Sequence, residues 1–416
     1  MSTAVKFRQH QLANGLEIVA ECNPGAYSAS MAFFVRTGSR DENDQNSGVS
    51  HFLEHMVFKG TPKRSAADVN RRLDEISSGA NAYTSEEQTV YYATTLPEDV
   101  PNLLELLADI MRPSLRTEDF DTEKKVILEE IAKYDDQPPY GAHEKCMAAH
   151  FVEHPLARSI LGTVQSVGAL TSTQMMEYFQ SRYSPKNIVL SAAGNIDFEK
   201  LVALADQYCG PWPMFDAPRA LPVAAKRSSF HVVQKPLASQ AYVVQTSNAP
   251  AAEDDDRYAA RVLGTILGDD TGSRMFWEMV DTGLAEYAVF GPHEYQGTGV
   301  FFTSMSCAPE EVAANLQRIK DIFCQAEADG VTSEELEQAK NKICAQMILS
   351  SERPANRMFS VGNSWLQRRQ YKTIREGVQA YRDVTLKDIR RVLEKYPISE
   401  PTTVVIGPMD KIDQPE

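Results

Sequence analysis

No stretch of this sequence approaches the ~20 consecutive apolar residues that a membrane-spanning helix needs, so no membrane span is expected. No two of its six cysteines (Cys22, Cys146, Cys209, Cys307, Cys324, Cys344) form a C-x-x-C pair. That removes a cysteine zinc site and a thioredoxin-type motif. Thiols scattered in this way suit a reducing compartment. Basic residues are in deficit: 42 Lys and Arg against 57 Asp and Glu leave a net charge of -15. Such a balance argues against nucleic acid or an anionic membrane surface as a partner. The segment Met1 to Gln11 has neither the apolar core of a signal peptide nor an Arg-rich amphipathic pattern, and a cytoplasmic location is expected.

What is present is a globular composition, 43% hydrophobic and 24% charged. At 416 residues the chain exceeds one ordinary core, so two or more domains are expected. Histidine is scarce, eight in all, yet two stand four apart in Ser50-His51-Phe52-Leu53-Glu54-His55-Met56-Val57-Phe58. On a helix, His51 and His55 project from one face one turn apart, which lets two imidazoles reach one tetrahedral ion. Glu54 lies on nearly the same face, close enough to touch a water on that ion without being a ligand. The order His-x-x-Glu-His is the inverted zinc-peptidase motif. The plainer reading is an amphipathic helix with two satisfied histidines.

Around the motif the pattern alternates between strands and helices. Leu16–Glu21 and Ser30–Val35 read as strands, followed by a polar loop from Gly38 to Ser47. Ser65-x-x-Asp68 opens a helix to about Ser77, and Thr89–Thr94 is the return strand of a pair. Val100 to Met111 is apolar at helical spacing. Thr117 caps a long helix from about Glu118 to Tyr134, with a stop at Asp135-Asp136-Gln137-Pro138-Pro139. Thr171-x-x-Gln174 caps a further helix, and Asn187–Gly194 is a strand. Proline and glycine gather from Cys209 to Arg227, which reads as a linker between halves.

The second half repeats the first. Thr385 lies 214 residues beyond Thr171, Gly407 lies 213 beyond Gly194, and Thr332 lies 215 beyond Thr117. In both halves a Thr-capped helix ends on a tyrosine and leads into a Val/Ile-rich strand closed by glycine. Duplicated halves of about 200 residues follow. Strands and helices do not alternate strictly, which favours an α+β class. The expected division is 1–210, a linker at 211–227, and 228–416.

A catalytic zinc keeps three protein ligands and one open position. The long helix supplies acidic candidates for the third: Glu118, Glu123, Glu129 and Glu130. Glu123 and Glu130 are seven apart and share one face. Spacing leaves the choice open, and a solvated acidic face is the bland alternative.

His51-Phe52-Leu53-Glu54-His55-Met56-Val57-Phe58-Lys59-Gly60-Thr61, Asn81-Ala82-Tyr83-Thr84-Ser85, Thr89-Val90-Tyr91-Tyr92 and Val126-Ile127-Leu128-Glu129-Glu130 resemble the pitrilysin and mitochondrial processing peptidase family of zinc peptidases, in its bacterial processing-peptidase-like branch. His154-Pro155-Leu156, Ile160-Leu161-Gly162-Thr163 and Tyr183-Ser184-Pro185-Lys186-Asn187 add to the likeness. It covers the first half almost completely and the second half in layout. The resemblance implies two tandem α+β domains, each a mostly antiparallel sheet with helices on one side, forming a clam-like chamber. It implies Glu130 as the third zinc ligand, Glu123 as the residue that supports the site from behind, and Glu54 as general base. It also implies that a peptide adds as an extra strand beside Asn81, Ala82 and Tyr83.

The second half carries no equivalent ligands. At the repeat offset the motif falls near Val262-Leu263-Gly264-Thr265-Ile266-Leu267-Gly268, and Glu130 falls at Ala345 or Gln346. One zinc per chain is expected, with the second domain an inactive repeat that forms a wall of the substrate chamber. The family presents an Arg and a Tyr seven apart after a Gly-Ser-Arg helix start, here Gly272-Ser273-Arg274. Where that Arg would stand the chain reads Glu278-Met279-Val280-Asp281. Tyr287 remains, with Glu286 inserted before it, and Arg274 is a candidate substitute whose usual role is structural. A homo- or heterodimer with a related subunit that supplies the Arg-Tyr clamp is therefore expected. The first reading is a zinc endopeptidase for peptides or unfolded segments. The others are a non-catalytic scaffold or assembly subunit of peptidase descent and a metal-dependent amidase.

Overall fold

The β-branched and aromatic runs form eleven strands in two sheets in the computed structural model, which describes residues 5–136 and 141–415. The Gln137-Pro138-Pro139 stop expected for the long helix lies outside the described residues. The first sheet holds β1 (Lys6–Gln11), β2 (Glu17–Cys22), β3 (Ala29–Val35), β4 (Ser78–Thr84), β5 (Thr89–Thr95) and β6 (Ile188–Gly194), in the order β1-β2-β6-β3-β5-β4. The second holds β7 (Ser229–Gln234), β8 (Ala241–Ala249), β9 (Tyr287–Tyr295), β10 (Thr298–Cys307) and β11 (Thr402–Gly407), in the order β7-β11-β8-β10-β9. Without β1 the two orders are the same, strand for strand. The one parallel pair falls at the same place in each, β2 with β6 and β7 with β11. This shared topology accounts for the offset between capped helices.

Every residue of β3 and of β6 is buried. Strands covered on both faces read as continuous apolar runs, which is why Phe33 and Phe34 stand side by side. Phe33 packs against Trp212 on one face. On the other, Phe34 joins Val19, Ala32 and Val189 against Met358, Val361 and Leu366 of the helix Pro354–Arg368. Helices thus cover both faces of this sheet. Arg357 of that helix donates from Nε (2.8 Å) and Nη2 (2.5 Å) to Glu21 on β2.

The helix that covers the first sheet's second face comes from the far half of the sequence, and the reverse holds for the second sheet. There the helix Ala142–Phe151 sets Ala142 and Cys146 against Val244, Val404 and Ile406. The two compact units are therefore discontinuous. One comprises Met1–Ala132, Arg158–Ala220 and Ser350–Tyr371; the other comprises Lys133–Ala157, Leu221–Leu349 and Lys372–Glu416. The contiguous division at 210 and 228 does not separate these exchanged helices. The Pro-rich segment after Cys209 is held to the first unit as far as Arg219. The Arg112 guanidinium stacks 3.9 Å over buried Trp212, and Arg219 binds Asp41 through Nε at 2.9 Å and Nη2 at 2.5 Å. No helix among the described residues is long and apolar enough to cross a membrane.

Candidate metal centre

The motif forms the helix Val49–Val57, with Phe52, Leu53, Met56 and Val57 buried in the first unit. Its N-cap is Gly48 at φ +91°, where a Cβ would come within 2.5 Å of the Leu161 carbonyl oxygen. A glycine offers no capping side chain, and Glu42 does that work from outside the helix. Its two carboxyl oxygens accept from the backbone N–H groups of Gly48 and Ser50, each at 2.7 Å. The helix start, and with it His51, is fixed by a buried carboxyl group.

His51 is 8% exposed. Burial, reinforced by the nearby charge of His55, pulls its pKa from 6.5 down to about 3. The ring stays neutral and keeps the lone pair that a metal needs. His55 is placed one turn on, with ring centroids 4.8 Å apart. Its Nδ1 lies 2.9 Å from Glu123 Oε1, and Glu123 Oε2 lies 2.5 Å from Lys59 Nζ. Burial disfavours the His55 cation, but the Glu123 hydrogen bond and the charges of Glu54, Glu123 and Glu130 outweigh it and raise the pKa. The hydrogen bond from His55 holds the Glu123 carboxyl below its ordinary range. With Nδ1–H committed to Glu123, Nε2 is the free lone pair.

The long helix, Thr117–Asp136, separates its acids by face. Glu118 and Glu129 are exposed. Glu123 and Glu130 turn toward the motif helix, and Glu130 Oε2 stands 3.8 Å from His51 Nε2 and 3.9 Å from His55 Nε2. His51, His55 and Glu130 each offer one ligand atom, all within 4.8 Å of one another. Tetrahedral zinc with bonds of about 2.0–2.1 Å spaces its ligands by roughly 3.4 Å. Two imidazole nitrogens and one carboxylate oxygen at these distances fit such an ion. Among the described residues this is the one group of three or more His, Cys, Asp or Glu that could hold a metal. At the repeat position the second unit has the helix Arg257–Gly268, whose Val262, Leu263, Ile266 and Leu267 are core residues.

Glu54 is set between His51 and His55 on the helix and receives a hydrogen bond from Thr84 Oγ1 at 2.6 Å. Burial raises its carboxyl pKa, and the Glu130 charge adds to the rise. Sequence reading singled out Asn81, Ala82 and Tyr83 but not the hydroxyl that follows them. β4 pairs with β5 alone and is an edge of the sheet. Along it Ala82 and Thr84 share one face, while Asn81 and Tyr83 share the other. Tyr83 packs with Tyr92 and Phe359, and its hydroxyl accepts from Gln88 Nε2. Tyr287 and Arg274 belong to the other unit. Tyr287 begins its edge strand, β9, and Arg274 is committed to Glu335 through Nε at 2.7 Å and Nη2 at 3.0 Å.

Residues 17–164 match the family model described as insulinase, peptidase family M16, and residues 169–343 match the peptidase M16 inactive domain. A protein of Mycobacterium tuberculosis named as a zinc protease is 32% identical over 416 residues, covering 98% of this chain and 94% of that protein. One of Streptomyces coelicolor with the same description is 32% identical over 415 residues, covering 97% and 90%. In shape the chain is similar to a protease of Helicobacter pylori, with a TM-score of 0.91 at 23% identity over 97% of this chain and 100% of that one. A Pseudomonas fluorescens structure described as a peptidase M16 inactive domain gives 0.90 at 18% identity, covering 99% and 100%. A likeness that runs end to end, with both family domains in order and relatives named as zinc proteases, places this chain in peptidase family M16.

Proposed function

We propose that the chain is a zinc endopeptidase for peptides or unfolded protein segments, holding one ion through His51, His55 and Glu130. A bound zinc lowers the pKa of water toward ~7 and polarises the scissile carbonyl. Glu54 takes the proton of the attacking water and returns it to the leaving amine. Its burial suits that task, because a raised carboxyl pKa narrows the gap to the proton donor. Glu123 fixes the tautomer and orientation of His55. The free edge of β4 at Asn81, Ala82 and Tyr83 receives the substrate as an added strand. Pairing through the backbone tolerates many sequences, in keeping with side chains of Asn81 and Tyr83 that turn away from the Thr84 face.

The observation that carries this reading is the convergence of His51, His55 and Glu130 within 4.8 Å, from two helices, with Glu54 beside them. The scaffold reading draws on a different feature. Where the family's clamp arginine would stand, Phe276–Val280 forms a π-helical turn with Glu278 in it. A peptidase built this way acts as the catalytic subunit of a dimer whose related partner supplies the Arg-Tyr pair, with Tyr287 as this chain's own substrate group. Zinc analysis and digestion of a peptide library separate the readings. About one zinc per chain, lost in His51→Ala and His55→Ala and kept in a cleavage-dead Glu54→Gln, supports the enzyme. A chain that binds no zinc and cleaves nothing with any partner is the scaffold. Full activity as a monomer removes the partner.

A further inference from the structure

The geometry points to Thr84 as a positioning residue that assigns different tasks to the two oxygens of Glu54. The inference rests on the reading of Glu54 as the general base. The Thr84 hydroxyl donates to Glu54 Oε2 at 2.6 Å, a length typical of a charge-assisted O–H···O⁻ bond. Its one alternative acceptor among the described residues, Thr89 Oγ1, is 3.5 Å away. Thr89 is fully buried and gives its own proton to the Thr37 carbonyl at 2.9 Å. The Thr84 proton is therefore directed to Glu54 in the resting site.

Thr84 is also the one side chain that hydrogen-bonds Glu54 among the described residues. Oε2 has the Thr84 donor, and among the described residues no hydrogen bond reaches Oε1. A proton taken from water then goes to Oε1, and the Thr84 bond to Oε2 persists whether the acid is ionised or protonated. The base keeps one orientation through both halves of the reaction, accepting from water and then donating to the leaving amine. Thr84 is the last residue of β4, paired across the sheet with Thr89. The strand proposed to receive the substrate therefore ends on the group that aims the base.

The test compares Thr84→Val, which removes the hydroxyl at nearly constant shape, with Thr84→Ser, which keeps it, and Thr84→Ala as a second hydroxyl-free variant. The probe is a mixture of internally quenched fluorescent peptides. Val and Ala are expected to lower kcat by about 10–100-fold, with KM, zinc content and melting temperature held. Ser is expected to remain within about threefold of the parent. A difference infrared spectrum against Glu54→Gln, recorded with and without zinc, should show the Glu54 carboxyl band moved by Val and restored by Ser. Parent-like kcat in Val and Ala, or Ser as slow as Val, overturns the inference while Glu54 remains the base. Parent-like turnover in Glu54→Gln overturns the base assignment itself.

Discussion

His55 Nδ1 and Glu123 Oε1 stand 2.9 Å apart, on two different helices. The contact decides which ring nitrogen faces Glu130, because the nitrogen that donates to a carboxylate cannot also give its lone pair to a metal. Carboxylate partners of metal-binding imidazoles typically contribute 10–100-fold in affinity. Glu123→Ala should therefore weaken zinc binding by about that factor, read by competition with a fluorescent chelator. Lys59→Ala should have a smaller effect, since Lys59 reaches the imidazole only through Glu123. Unchanged affinity in Glu123→Ala would remove the supporting role.

Acid should destabilise the metal-free protein through His51. Its folded pKa of about 3 lies below its ordinary 6.5. As pH falls below 6.5 the unfolded chain takes up a proton that the folded chain refuses, and stability drains away until pH nears 3. At 1.36 kcal/mol per pH unit the full loss is on the order of 5 kcal/mol. His55 has the opposite sign: its raised pKa adds stability below 6.5 that is lost as pH rises through the folded value. Thermal melts of chelator-treated protein from pH 7.5 to 4 should fall in the acid range, and His51→Phe should flatten that fall.

The motif helix was legible because its information is local. His51, Glu54 and His55 lie within one turn and a third, and the seven-residue spacing of Glu123 and Glu130 puts them on one face whatever the helix packs against. That Glu130, and not Glu118 or Glu129, stands near the two histidines depends on the packing direction of the long helix, which spacing does not give. Thr84 stayed hidden because its contact with Glu54 spans 30 residues and depends on the register of β4 against β5. The exchanged helices stayed hidden for a related reason. Pro354–Arg368 buries one stripe, Met358, Val361 and Leu366, and that stripe would look the same against either sheet.

Glu42 should support both stability and metal binding. Two backbone N–H groups at the start of the motif helix have its carboxyl oxygens as their acceptors, and the second belongs to Ser50, next to His51. Glu42→Ala leaves those donors buried and unpaired, at a cost of about 1–3 kcal/mol each. Urea unfolding should register the loss, and zinc affinity should fall with it because His51 loses its fixed starting point. A variant that unfolds at lower urea yet binds zinc like the parent would show that the cap stabilises the helix without aiming the ligand.

Gly362 gives the sharpest test of the exchanged helix. A Cβ at this position would sit 2.2 Å from Phe34 Cε2 and 2.4 Å from Cζ. Phe34 is fully buried on β3, so its ring has no free space to enter. Overpacking of this kind typically costs 1–3 kcal/mol, and Gly362→Ala should lower the urea midpoint accordingly. Phe34→Leu removes the atoms that clash, so the double variant should be more stable than the two single losses predict. Were the helix packed on the second sheet, as a contiguous division at 228 implies, the two substitutions would act on separate cores and their costs would add. Non-additivity between residues 34 and 362 thus reports directly on which sheet the helix covers.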